Sequence, residues 1–251
     1  MSKVISIHSF RGGTGKSNTT ANLAAIIAAM GKRVGVVDTD IQSPGIHVIF
    51  GLDEAHIQHS LNEYLWGKCK IDDTAHDVTA SLGGLAGGKV FLIPSSIKPG
   101  DITRFLREGY DPELLNEGFR ALIEHFKLDV LLIDTHPGVN EETLLSIAVS
   151  DAVLIILRPD QQDYLGTGVT LELARRLNVE NLLLMVNKLP PSFDAAEMKA
   201  RIEDTYKCPV AAVLPHSDEL MALASSGVFA LKYPDHAVSR LYRQVAERIL
   251  A

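Results

Sequence analysis

Seven short apolar runs, at residues 3–8, 33–38, 89–93, 129–134, 152–157, 182–187 and 210–214, constrain this 251-residue chain more than any other feature. Most lack polar alternation, which a strand solvated on one face requires, so they read as strands covered on both sides. Helical patterns fall between them, at about 18–30, 111–126, 141–149, 166–177, 194–205 and 237–250. Such alternation predicts an α/β fold. Its mostly parallel sheet of seven or eight strands carries helices on both faces, joined by right-handed crossovers. Hydrophobic residues make up 46% of the chain, enough for one core, so residues 1–251 are expected to form a single domain. The helix at 18–30 is apolar nearly all round and is expected against the sheet. Residues 51–88 are less regular: one or two helices and a loop, ending in the flexible, glycine-rich stretch 81–88.

Between the first run and the first helix lies Ser9-Phe10-Arg11-Gly12-Gly13-Thr14-Gly15-Lys16-Ser17. Strand, glycine loop and helix in that order make a phosphate-binding loop. Glycine lets the backbone approach a ligand closely, and the N–H groups of residues 12–17 can converge on phosphate oxygens at the positive end of a helix. Gly12, Gly13, Thr14, Gly15, Lys16, Ser17 and Asn18 are therefore the candidate nucleotide-binding run. Lys16 is placed to reach the β- and γ-phosphates and Ser17 to ligate Mg²⁺. Phe10 stands where the P-loop consensus has glycine.

Two further segments end apolar runs in carboxylates. Val36-Val37-Asp38-Thr39-Asp40 puts two acids beyond the second strand, where open α/β sheets bind ligands. Leu131-Leu132-Ile133-Asp134 leaves an aspartate at the end of a buried strand, where it needs a partner; magnesium held through water supplies one.

The loop resembles the deviant Walker A motif of the MinD/ParA family of ATPases, Lys-Gly-Gly-x-Gly-Lys-Ser/Thr, and the likeness extends through most of the chain. It implies a P-loop NTPase fold, ATP and Mg²⁺ as cofactors, and homodimerisation when ATP is bound. In the family the first lysine crosses to the partner subunit's phosphates. Arg11 holds that position here, and its planar donor fork suits the same task. The resemblance gives Asp40 the task of orienting the attacking water, with Asp38 supporting magnesium-bound waters or the loop. Leu131–Gly138 resembles a Walker B strand followed by a second switch, so Asp134 is a magnesium residue through water. His136 departs from the smaller residue or proline usual there, and reads as an exposed loop histidine. Asn187 and Pro215 fall in the two loops that hold the base in relatives. Pro190 stands where a guanine-reading loop has an acidic acceptor, which favours ATP over GTP.

The resemblance implies a slow, partner-stimulated ATPase that positions or partitions a cargo. The alternatives are a regulatory adaptor with weak hydrolysis and a client-carrier or targeting ATPase of the same fold. A net charge of −7 opposes broad nucleic-acid binding. Cys69 and Cys208 form no metal-ligand spacing and suit a reducing cytoplasm, and no signal peptide or membrane-spanning run is read. The terminal helix is expected to dock on the domain through Val238, Leu241, Val245 and Ile249; no basic, apolar membrane-binding tail follows it.

Overall fold

The computed structural model describes residues 2–83, 85 and 87–251. Its strands are β1 (Lys3–His8), β2 (Arg33–Asp38), β3 (His76–Asp77), β4 (Lys89–Ile93), β5 (Val130–Asp134), β6 (Ala152–Leu157), β7 (Asn181–Leu189) and β8 (Val210–Pro215). They form one eight-stranded sheet in the order β3-β4-β2-β5-β1-β6-β7-β8. Every pairing is parallel except that of the two-residue edge strand β3 with β4. All seven expected runs are strands; the eighth lies within 51–88 and is too short to carry a periodicity.

Both faces of the sheet are buried, which explains the missing alternation. On one face Ile5, Ile7, Val34, Val36, Val130, Leu132, Leu154 and Ile156 pack beneath α1 (Lys16–Ala29). Residues 19–28 of α1 are all buried. The short α2 (Ile46–Ile49) also packs on α1. On the opposite face the residues between them in sequence, including Val37, Leu131, Ile133, Val153 and Ile155, split into two clusters. Each fully buried Leu, Ile or Val contributes about 1.5–3 kcal/mol, so this two-sided arrangement dominates the stability.

Residues 51–83 hold the short helix α3 (Leu61–Leu65), two 3₁₀ turns at Glu54–His56 and Asp72–Thr74, and β3. Of the stretch expected to be flexible, residues 84 and 86 lie outside the described residues. Helix α4 (Pro99–Glu108) was not expected. Pro99 stands in its first turn, where a helix needs no N–H donor. Then come α5 (Pro112–Phe126), α6 (Glu141–Ala148), α7 (Gln161–Arg176) and α8 (Ala195–Tyr206). Helix α7 begins five residues before the expected 166, because Asp160 caps it by accepting from the N–H groups of Gln162 and Asp163.

Two short helices, α9 (Asp218–Leu223) and α10 (Phe229–Lys232), precede α11 (Ala237–Leu250). Helix α11 packs on α1 and β8 as expected. Its buried face is Val238, Tyr242, Val245, Ala246 and Ile249, with Leu241 only partly buried. Among the described residues no helix is long and apolar enough to cross a membrane.

Candidate nucleotide site

At the carboxyl edge of the sheet, β1 lies between β5 and β6, where the order of connection reverses. That crevice is the expected ligand position in an open α/β sheet. The glycine loop leaves β1 there and turns into α1. Gly15 has φ +96°, a left-handed conformation that strains other residues. A Cβ on Gly15 would also lie 2.6 Å from Asn187 Nδ2. The loop is held from two sides. Asn187 Nδ2 donates to the Thr14 carbonyl at 2.8 Å and Lys188 Nζ to the Gly13 carbonyl at 2.9 Å. From the other side the Gly138 N–H donates to the Ser9 carbonyl at 3.1 Å.

Gly12 and Gly13 are exposed, Thr14 and Lys16 are buried, and Ser17 and Asn18 are half-buried at the head of α1. Beside them, Asp38 and Asp134 are register partners on β2 and β5. Thr20 Oγ1 donates to Asp134 Oδ1 at 3.1 Å. Asp38 Oδ1 accepts from the Asp40 N–H at 3.0 Å, whereas its Oδ2, buried, has no partner. Burial pushes the Asp38 carboxyl well above the usual carboxylate range, and the charges of Asp134 and Asp40 push it further. Burial likewise raises Asp134, against the lowering effects of Lys16 and the Ser17 and Thr20 hydroxyls. At the end of β1, His8 is driven down to about 3, chiefly by burial and then by the charges of Lys16 and His136. Its neutral ring is bonded through Nδ1 to Thr135 Oγ1 at 2.8 Å.

An orphaned carboxylate oxygen beside a second buried carboxylate fits a hard cation with oxygen ligands. Among the described residues no group of three or more His, Cys, Asp or Glu side chains forms a metal cage. Magnesium suits such a partial set, since it usually keeps several waters and takes phosphate oxygens besides one or two carboxylates. The same burial predicts that Asp38→Asn will stabilise the protein without ligand, by roughly 1–3 kcal/mol. A carboxyl whose pKa rises on folding loses stability as pH rises through the folded value. The melting curves of wild type and variant are therefore expected to diverge toward alkaline pH in chelator, and thermal melts in mildly acidic and mildly alkaline buffer check this.

Three positions make contacts that the sequence reading did not include. Asn187 was assigned to the base. Its Nδ2 also donates to the Thr14 carbonyl and its Oδ1 accepts from the Lys188 N–H at 2.8 Å, so one amide hydrogen and one lone pair of the oxygen are left for a ligand. It also sits within β7, which continues irregularly to Leu189. Arg11 lies 3.8 Å from Asp160 and 3.9 Å from Asp163 of its own chain. Asp163 is already held by two donors of the Arg158 side chain at 2.9 and 3.1 Å, and Arg11 is 42% exposed, so this tie is weak. His136, expected to be an exposed loop residue, is instead mostly buried, and its Nδ1 lies 2.6 Å from Asp40 Oδ1.

The structure does bring together the glycine loop, Lys16, Ser17, Asp38, Asp40 and Asp134. Asn18, Asn187 and Pro215 line a neighbouring cavity of about 220 Å³ with Leu220, Met221 and Tyr242. The sequence reading gives Tyr242 no place in this site. It is fully buried, and its hydroxyl lies beside that of Thr19. Its one advance signal was a polar-tipped aromatic on the apolar stripe of α11.

The family model AAA_31, an AAA domain, matches residues 2–183, which include the glycine loop and all three aspartates. This chain belongs to the MinD/ParA family of P-loop ATPases. An uncharacterized ATP-binding protein of Methanocaldococcus jannaschii is 29% identical over 100% of this chain and 88% of its own length. The septum site-determining protein MinD of Thermotoga maritima is 24% identical over 99% of this chain and 88% of its own. Among solved structures, MinD of Pyrococcus horikoshii complexed with Mg-ADP superposes with a TM-score of 0.79. It is 22% identical and is covered over 96% of its length by 99% of this chain. The P-loop NTPase fold is therefore that of the MinD structures, with β3 as its antiparallel edge.

Proposed function

We propose that this protein is an ATP-dependent dimerisation switch that hydrolyses ATP slowly in the cytoplasm and, with a stimulating protein partner, positions a cargo. The observation that carries the reading is Lys16, buried at the head of α1 beside the register-paired carboxylates Asp38 and Asp134. That arrangement suits a ligand bringing both phosphate and magnesium.

In this reading the amides of residues 12–17 grip the phosphates and Lys16 bridges the β and γ groups. Ser17, with Asp134 and Asp38 through water, would hold magnesium, which would neutralise charge on the phosphate oxygens. Asp40 orients the attacking water. The cavity beside Asn18, Asn187 and Pro215 holds the base. Arg11, tethered weakly to Asp160 and Asp163, is free to swing toward a second subunit's phosphates. A γ-phosphate contacted by both subunits favours the dimer in proportion to its differential affinity for the two states.

Asp40→Ala is expected to retain Mg-ATP and accumulate as a dimer, while the wild type dimerises with Mg-ATP and returns to monomer as phosphate is released. Light scattering run alongside phosphate release tests this; a size indifferent to nucleotide in both proteins rejects the switch. Arg11 and Phe10, which depart from the family motif, support a second reading, a regulatory adaptor. It predicts ATP-dependent dimerisation with no measurable phosphate release.

A further inference from the structure

The geometry points to His136 as the positioning residue of Asp40, an inference that rests on the reading of Asp40 as the water-orienting carboxylate. Asp40 follows β2, and its backbone is anchored by the bond from its N–H to Asp38 Oδ1. Both hydrogen bonds recorded for its side chain go to Oδ1. One comes from His136 Nδ1 at 2.6 Å, the other from the Ser43 N–H at 3.2 Å. Oδ2 accepts none among the described residues. It is not among the buried polar atoms left without a partner, and the Asp40 side chain is 12% exposed.

A carboxylate beside an imidazole nitrogen at 2.6 Å requires the proton on that nitrogen, so Nδ1–H donates. The carboxylate is then held by one oxygen and offers the other to a water. The histidine is itself fixed. It follows Thr135, whose Oγ1 donates to the Ile7 carbonyl, and its own carbonyl accepts from Thr143 Oγ1 at 3.3 Å. The ring thus joins the segment after β2 to the segment after β5, the two stretches that flank the crevice. Rotation of a free aspartate would leave a water poorly aimed, and small misplacements of a reacting group cost up to about a hundred-fold in rate. His136 acts on the orientation of Asp40 and not on the grip of the glycine loop.

His136→Ala is expected to lower the rate of phosphate release about 10- to 100-fold. The affinity for a non-hydrolysable Mg-ATP analogue should change less than two-fold, about 0.4 kcal/mol. His136→Asn places an amide N–H near the position of Nδ1 and is expected to restore most of the rate. In nitrogen-labelled wild-type protein without nucleotide, one imidazole Nδ1 proton should resonate far downfield and be lost in both His136→Asn and Asp40→Ala. Loss of rate and affinity together in His136→Ala, a rate within two-fold of wild type, or Asn performing no better than Ala overturns the inference. So does the lack of the downfield proton, which remains decisive if His136→Ala fails to fold. A wild type that binds no Mg-ATP would instead overturn the functional reading, which calorimetry distinguishes.

Discussion

Lys16→Ala is expected to abolish measurable ATP turnover and to weaken Mg-ATP binding at least ten-fold. The Lys16 side chain is buried at the first position of α1, directly after the glycine loop. Charge-assisted hydrogen bonds to phosphate contribute about 1.5–3 kcal/mol each, or about 10- to 150-fold in affinity, and more where charge develops during phosphoryl transfer. Lys16 also offsets the buried Asp134 carboxylate, so its loss should push that group further above its usual range and lower stability without ligand. Calorimetric titration with Mg-ATP, with melts in parallel, separates the two effects. A variant that binds and turns over like the wild type would remove Lys16 from the site.

Gly166→Val is expected to destabilise the protein by about 1–3 kcal/mol and to impair nucleotide binding from outside the cradle. Phe10, which stands at a consensus glycine position, packs its ring directly onto Gly166 of α7. A Cβ there would lie 2.0 Å from Phe10 Cδ1, 2.1 Å from Cγ and 2.6 Å from Cβ. The clash reaches the root of the side chain, so rotating the ring cannot relieve it, and the loop backbone must shift. The same contact explains a glycine inside a helix, which otherwise costs about 1 kcal/mol relative to alanine. Pairing Gly166→Val with Phe10→Gly should recover most of the lost stability and binding. The coupling is read from a double-mutant cycle of melts and Mg-ATP titrations. Additive losses would show that the two positions do not meet.

The elements of this fold were largely legible because two-sided burial leaves a direct mark on strand composition. Runs such as Val130–Asp134 and Ala152–Leu157 are buried at every position, and their residues are apolar almost throughout. Elements held by other means left no such mark. The strand His76–Asp77 is recruited by β4 and has no hydrophobic period of its own. Helix Pro99–Glu108 buries only Phe105. The start of α7 depended on the Asp160 cap, a local hydrogen bond that the glycines at 166 and 168 obscured.

Within the candidate site, the contiguous motif was readable and the contacts between distant segments were not. The run from Gly12 to Ser17 is contiguous, because one loop and one helix end form it. The order of residues therefore determined the strands, the loops at their carboxyl edge and the glycine loop before α1. Side-chain partners are set by strand order instead, which brings residues separated by about a hundred positions or more into contact. Only the tertiary structure decided that Asn187 braces Thr14, that Phe10 seats on Gly166 and that His136 grips Asp40. Periodicity is a local consequence of burial, whereas a hydrogen bond across the crevice depends on where three separate strands end.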